Sequence, residues 1–258
     1  MKIKYCKRCL FPETKPDLFF NQEGVCDACE TAERKNLIQD SIDWEERSKM
    51  FEGILNEART KKPFGYNCIV PVSGGKDSFW QTYALKKIHD MRPLAVTFDQ
   101  FDTPEIGKEN LNNLKKIGVD HIHFTLNPNI VKKLVYKGFK LLGDHYWVNH
   151  VGIYSVPYNV AAAFNIPLVI FGEQPQMEYG GPKASRDNFV MDRRWRQEFG
   201  LMRNFREEDM VDQDISIEDL HMLQFPDEEI VSRKTILGTF YGFFYKWNAR
   251  EHLKVAKD

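Results

Sequence analysis

One stretch constrains this chain more than any other. An apolar run, Asn67-Cys68-Ile69-Val70, enters Pro71-Val72-Ser73-Gly74-Gly75-Lys76-Asp77-Ser78, and a helical pattern follows from Phe79 to Ile88. Strand, glycine turn and helix, in that order, are the setting a phosphate-binding loop needs. Two adjacent glycines let the backbone turn tightly and bring bare N–H groups close to an anion. The new helix adds its own N-terminal amides and the positive end of its dipole. Lys76 supplies a mobile positive charge, Ser73 and Ser78 supply hydroxyls, and Asp77 is suited to hold a magnesium ion. The alternative is an ordinary strand-to-helix turn with incidental polar residues.

The loop is not a Walker A motif, because the first glycine of G-x-x-x-x-G-K-[ST] would fall on Val70. The six residues Ser73 to Ser78 instead resemble the PP-loop signature of ATP pyrophosphatases. That resemblance implies an enzyme that splits ATP between its α and β phosphates, transferring AMP to an oxygen and releasing pyrophosphate.

Beyond Tyr66 the pattern alternates. Strands are expected at about 67–72, at Pro93 to Phe98, at His121 to Leu126 and at Pro167 to Phe171. Helices are expected to about 89, at about 104–117 closed by Gly118, at about 129–142 and at about 154–164. Alternation of this kind argues for an α/β fold, a doubly wound parallel sheet. Such sheets bind ligands beyond the carboxyl ends of their strands. Three polar strand ends then converge: Ser73-Gly74-Gly75, the Thr97-Phe98-Asp99 end, and Gly172-Glu173. The Thr97–Asp99 end is where PP-loop enzymes hold adenine through backbone groups, although Asp99 reads equally well as a turn or cap residue. Glu173 follows a strongly apolar strand and Gly172, which sets its carboxylate at the mouth of the site; a solvated glutamate is the alternative.

Ahead of this lies a cysteine pattern. Cys6-x2-Cys9, sixteen intervening residues and Cys26-x2-Cys29 read as a four-cysteine zinc ribbon. About thirty residues cannot build a core alone, so the metal supplies the folding energy. A closed four-thiolate site has no open position for a substrate, so the metal is expected to be structural or to contact a partner rather than to catalyse; an iron–sulfur cluster competes with zinc, and disulfides or free thiols are the other readings. Between ribbon and loop, Ser41 or Asp43 is placed to cap a helix carrying Trp44, Phe51, Ile54, Leu55 and Ala58 on one face, ending at Lys61-Lys62-Pro63. The domain reading is thus a ribbon over 1–32, a helical connector over 33–64, the nucleotide domain over 65–182 and a C-terminal extension over 183–258 for substrate or partner.

With 258 residues, 42% of them hydrophobic and 28% charged, the chain has enough apolar material for one large domain and a small one. It has no apolar run of membrane-spanning length and no signal-like N-terminus, so a cytoplasmic location is expected. A net charge of −1 disfavours a broad nucleic-acid surface.

Taken together, the chain resembles the N-acetyl sugar amidotransferase family. The resemblance rests on the ribbon cysteines, on Val72 to Ser78, on His150-Val-Gly-Ile153, on Phe171-Gly-Glu173, on Tyr179-Gly180-Gly181-Pro182 and on Phe243-Phe-Tyr-Lys-Trp247. Chains of that family usually continue well past the last of these segments, and this one stops at Asp258. The resemblance implies conversion of a sugar acetamido group to an acetamidino group, for surface polysaccharide or glycan synthesis. ATP, Mg2+ and a structural Zn2+ would be its cofactors. An N-acetylated, nucleotide-activated sugar would be the substrate. Ammonia would come from a separate glutaminase, with a cyclase-like channel subunit as a further partner. The residues agree on the last point: four of the five cysteines belong to the ribbon and Cys68 falls in a buried strand, which leaves no glutaminase nucleophile.

The chemistry suits such a loop. Amide resonance makes the oxygen a poor leaving group. Transfer of AMP to that oxygen gives an adenylated imidate, ammonia attacks its carbon, and AMP departs. Lys76, the loop amides and Mg2+ would neutralise the leaving pyrophosphate. His150, Tyr179, Gly180, Gly181 and Trp247 are the candidate substrate contacts. His150 reads equally as a structural histidine, and the aromatic segment Phe240 to Trp247 equally as core. Arg186, Arg193, Arg194, Arg196, Arg203 and Arg206 form either an anion site or a solvated stretch. The rival function is tRNA thiolation, which also begins with adenylation but calls on reactive cysteines near the site. A third reading is a zinc-ribbon adaptor that senses ATP without splitting it.

Overall fold

A computed structural model describes residues 3–14, 18–178, 186–200, 202 and 205–257. Its centre is a five-stranded, all-parallel sheet: β1 (Cys68–Pro71), β2 (Pro93–Phe98), β3 (Asp120–Phe124), β4 (Leu168–Phe171) and β5 (Leu237–Phe240), in the order β3-β2-β1-β4-β5. The expected fold class is therefore the observed one. β1 and β4, Cys68-Ile-Val-Pro71 and Leu168-Val-Ile-Phe171, form because they are apolar runs with branched side chains. Every residue of β2 and of β4 is buried, as parallel strands covered on both faces require. The edge strand β3, Asp120-His-Ile-His-Phe124, has no fully buried residue.

Helices α1 (Asp27–Asp40) and α2 (Trp44–Lys61) precede the sheet. Of the two expected caps it is Asp43 that accepts from Glu46 N, at 2.9 Å, and opens α2. The buried face of α2 is Phe51, Leu55 and Ala58. The Phe51 ring packs on Phe244 at 4.8 Å and on Tyr241 at 5.4 Å, so its truncation to alanine costs about 3–5 kcal/mol.

The loop after β1 leads into α3 (Lys76–Tyr83), which continues through one π-helical turn, Ala84–Ile88. After β2 comes α4 (Glu105–Asn113), tightening to a 3-10 turn that Gly118 stops with φ of 74°. After β3 come α5 (Pro128–Leu142) and α6 (Trp147–Phe164). The chain steps outward from β1 to β2 to β3, then returns across the sheet to β4. Right-handed crossovers therefore place α3 and α4 on one face and α5 and α6 on the other. Packing agrees: α3 lies against β1 and α4, while α6 lies against β1, β2 and β4 and carries α5.

Two expectations need correction. α6 begins at Trp147, seven residues before the expected 154, and runs through Pro157. It is buried on most of its circumference, so no amphipathic stripe marks its start. The fifth strand, Leu237–Phe240, lies in the segment expected to be an extension. It pairs with β4 from Leu168↔Leu237 to Phe171↔Phe240, so the boundary expected at 182/183 does not separate the sheet from the C-terminal part of the chain. Of the two readings of the aromatic segment from Phe240 to Trp247, core describes Phe240, Tyr241, Phe243 and Phe244, which are buried, while Trp247 is only half-buried. Among the described residues, no helix is long and apolar enough to cross a membrane.

Candidate active site

The strand order reverses between β1 and β4, and there the two crossovers leave in opposite directions. This is the switch point at which doubly wound sheets open a crevice. A cleft of about 300 Å3 lies there, lined by Val72, Ser73, Gly75, Asp77 and Ser78 from the loop and by Phe171, Gly172 and Glu173 from the end of β4. Phe98, Ile153, Tyr154, Phe240 and Trp247 complete its walls.

The loop geometry follows from its glycines. Gly74 has φ of +81°, and a Cβ there would lie 2.4 Å from the Gly107 carbonyl oxygen of α4. No residue with a side chain fits that turn. Asn110 Nδ2 donates to Gly74 O at 2.8 Å and pins the turn from α4. Within the loop, Gly75 N donates to Ser73 Oγ at 3.4 Å, and Ser78 Oγ donates to Gly75 O at 3.0 Å. Gly75 is the N-cap residue of α3, and no side chain caps that helix. Its first amides thus meet the cleft uncapped, which fits a phosphate.

Asp77 is the loop side chain with two basic partners. Lys76 Nζ donates to its Oδ2 at 2.6 Å, and His252 Nδ1 lies 2.7 Å from its Oδ1. Burial pushes the His252 pKa down, and the bond to Asp77 opposes that shift. The loop and β4 are tied together by Gln81, whose Nε2 donates to the carbonyls of Ile170 at 2.8 Å and Phe171 at 3.0 Å. A carboxylate beside uncapped amides and a lysine is an oxygen-donor set suited to Mg2+ on a nucleotide. Asp77 and Glu173 are the cleft residues that would hold the ion.

At the second strand end, side chains are committed elsewhere. Thr97 Oγ1 donates to Val72 O at 2.7 Å and accepts from His121 Nε2 at 2.8 Å. Burial, reinforced by the neighbouring His123, lowers the His121 pKa to about 4, so that the ring stays neutral. Asp99 closes a turn: its Oδ1 accepts from Phe101 N at 2.9 Å, and its Oδ2 from Thr125 Oγ1 at 3.1 Å. Its own amide bonds Phe124 O at 2.8 Å. Of this strand end it is Phe98 that lines the cleft.

His150 lies in the first turn of α6, with Nδ1 3.8 Å from Asp144. It does not line the cleft, whereas Ile153 and Tyr154, one turn on, do. Trp247 does line it, packed over Gly172. Tyr179, Gly180, Gly181 and Arg203 lie outside the described residues. Of the remaining arginines, Arg193, Arg196 and Arg206 line one cavity, and Arg186 and Arg194 do not. Arg196 is buried at 4% exposure, ion-paired with Glu228 and stacked 4.5 Å over Phe225. The cavity, of about 600 Å3, shares no residue with the loop cleft. That cavity is the larger, but the loop amides and the strand ends are not in it.

The four ribbon cysteines converge, with all four sulfurs within 4.8 Å of one another. Cys9 and Cys26 Sγ are 3.4 Å apart, and Cys6 and Cys29 Sγ 3.9 Å. Burial would raise the Cys6 pKa, but the amides of Cys9, Cys26 and Arg8 point at its sulfur and bring it down to about 6. Burial and the neighbouring thiols push Cys29 up to about 12. Four thiols this close cannot all ionise without a cation between them, so the donor set fits a tetrahedral metal such as zinc. The unit is joined to the cleft side of the sheet by an ion pair from Lys35 of α1 to Glu178 of the short helix Pro175–Glu178, which follows Glu173.

His252 and Gln81 had no signature in the sequence. His252 lies 175 positions from its partner on a helix whose local pattern marks nothing, and Gln81 reads as an ordinary helix residue.

No protein-family model matches the chain, and no curated protein matches it. Among solved structures it is similar to NMN synthetase from Francisella tularensis, at 15% identity and a TM-score of 0.35, covering 50% of this chain and 54% of that one. It thus spans about half the length of that enzyme. A predicted subunit of tRNA methyltransferase from Methanocaldococcus jannaschii matches at 16% identity and a TM-score of 0.37, covering 74% of each chain. NAD+ synthetase from Burkholderia pseudomallei matches at 13% identity and a TM-score of 0.33, covering 88% of this chain and 93% of that one.

Proposed function

We propose that the chain is an ATP-dependent amidotransferase that forms AMP and pyrophosphate while converting the acetamido group of an N-acetylated sugar to an acetamidino group. The observation that carries the first half is the uncapped start of α3, behind a glycine turn with no room for a side chain, at the switch point between β1 and β4. Backbone amides and Lys76 would take the β and γ phosphates, leaving the α phosphorus toward the wall formed by Glu173 and Trp247. The acetamido oxygen attacks that phosphorus and pyrophosphate leaves, its charge met by donors already in place. Asp77 and Glu173 would hold a Mg2+ ion, which when bound would neutralise charge on the phosphates. Ammonia from a separate glutaminase, delivered directly or through a channel subunit, then displaces AMP at the imidate carbon.

The sugar half rests on the sequence resemblance and on an aromatic wall, Trp247 with Tyr154, of the kind that stacks on sugar rings. Against tRNA thiolation stands the absence of any cysteine among the residues lining the cleft. Cys68 is fully buried in β1, and burial pushes its thiol up to about 12, which makes it a poor nucleophile at neutral pH. The test is mass spectrometry after incubation with ATP, Mg2+, ammonium and a panel of acetamido sugars. The expected product differs from its substrate by replacement of O by NH, with AMP formed in equal amount. AMP and pyrophosphate formed only with tRNA and a sulfur donor would replace this reading with thiolation.

A further inference from the structure

Asp77 is held from the far end of the chain. Its partner His252 sits on the C-terminal helix Ala249–Lys257, which packs along α3. The imidazole is 1% exposed. It stacks on Trp80 at 4.1 Å with 21° between planes and meets Trp247 edge-on at 4.5 Å. The ring cannot turn away without breaking both contacts. A carboxylate acceptor assigns the proton to Nδ1.

The two donors on Asp77 differ in freedom. Lys76 is about one third exposed and carries its charge on a flexible four-carbon stem. His252 is locked between two indoles. Lys76 is also the charge that a bound triphosphate draws on, and a lysine turned toward phosphate leaves Asp77 Oδ2 without its cation. A divalent ion accompanying the nucleotide fits the oxygen so released.

We propose that His252 is a positioning residue for Asp77, clamping Oδ1 so that Oδ2 can exchange Lys76 for a nucleotide-borne divalent cation. The clamp rests on the reading of the loop as an ATP site and is independent of the sugar and of ammonia. It makes the last helix of the chain part of the nucleotide site.

The test compares His252→Phe, which keeps a stacking ring and removes the donor, with His252→Asn, which restores an N–H near the Nδ1 position. Affinity for α,β-methylene-ATP is measured by calorimetry with Mg2+ and again with EDTA. His252→Phe should weaken binding about 10- to 100-fold with Mg2+, the worth of a hydrogen bond to a charged group, and by less than about threefold with EDTA. His252→Asn should recover most of the loss. Equal weakening under both conditions would reduce His252 to a structural contact, and no weakening at all would also overturn the clamp while leaving the ATP site standing. A native protein that binds the analogue under neither condition would remove the ATP site itself. Nitrogen-15 histidine spectra of the native protein give a second readout that needs no folded phenylalanine variant, with His252 assigned by its loss in His252→Asn. The Nδ1 proton should persist and its resonance should shift when Mg2+ and analogue are added together. A resonance that disappears or does not move would refute the proposal.

Discussion

Replacing Gly74 by alanine separates the conformational demand of the loop from its chemical demand. At φ of +81° an L-residue costs about 1–2 kcal/mol. For a chain of this size that lowers Tm by roughly 2–8 °C, at about 2–4 °C per kcal/mol. The second effect is steric. The added Cβ would stand 2.4 Å from the Gly107 carbonyl, a backbone atom that cannot rotate away, so the loop and α4 must part by about 1 Å to reach ordinary contact. A misplacement of about 1 Å at reacting groups costs about a hundredfold in rate. Gly143 provides the control: its φ is +66°, and nothing lies within 4 Å of its Cβ position. Gly143→Ala should lose comparable stability and keep its activity. The assay is pyrophosphate release with ATP, Mg2+, ammonium and the acceptor, alongside thermal melts. Release within about threefold of native for Gly74→Ala, given that a 1 Å shift should cost far more, or an equal loss in Gly143→Ala, would refute the argument that this turn positions phosphate.

Other consequences attach to named groups. Lys76→Ala should abolish pyrophosphate release while shifting Tm by no more than about 1 kcal/mol equivalent, because its ion pair with Asp77 is part-exposed; retained release would end its assigned role. Elemental analysis should find metal with the native chain and not with Cys26→Ser, whose residues before α1 should become open to proteolysis, whereas a fully metallated and resistant variant would end the ribbon reading. The His121 pKa is lower in the folded chain than in the unfolded one, so its contribution to stability is present above about 6.5 and is lost as pH falls toward about 4. His121→Gln, which keeps a donor near Thr97 and cannot titrate, should flatten the dependence of Tm on pH between those values; an unchanged slope would show that the ring does not carry it.

The legible parts of this molecule are those whose physics is local. β2 is Pro93–Phe98, as expected from the sequence, and Gly118 stops α4 in the left-handed region open to glycine. The cysteine spacing alone located four sulfurs that converge. The glycine turn was legible as well, because its residues are contiguous. The features that escaped depend on distant partners. β5 is four residues with a glycine inside, a strand only because β4 offers it an edge. The start of α6 is hidden because burial on most sides erases its period. Asp99 and Thr97 sit at the strand end anticipated to hold adenine through backbone groups; that Phe101, Thr125, Val72 and His121 occupy their side chains is something the local sequence does not report. His252 is the extreme case, a residue of the cleft's supporting shell brought in by the packing of the last helix on α3.

A crystal grown with α,β-methylene-ATP and Mg2+ tests the central claim most directly. The β and γ phosphates should lie against the amides of Gly74 to Ser78, with Lys76 turned from Asp77 toward them. Nucleotide bound instead in the cavity lined by Arg193 and Arg206, with the glycine turn untouched, would contradict the account.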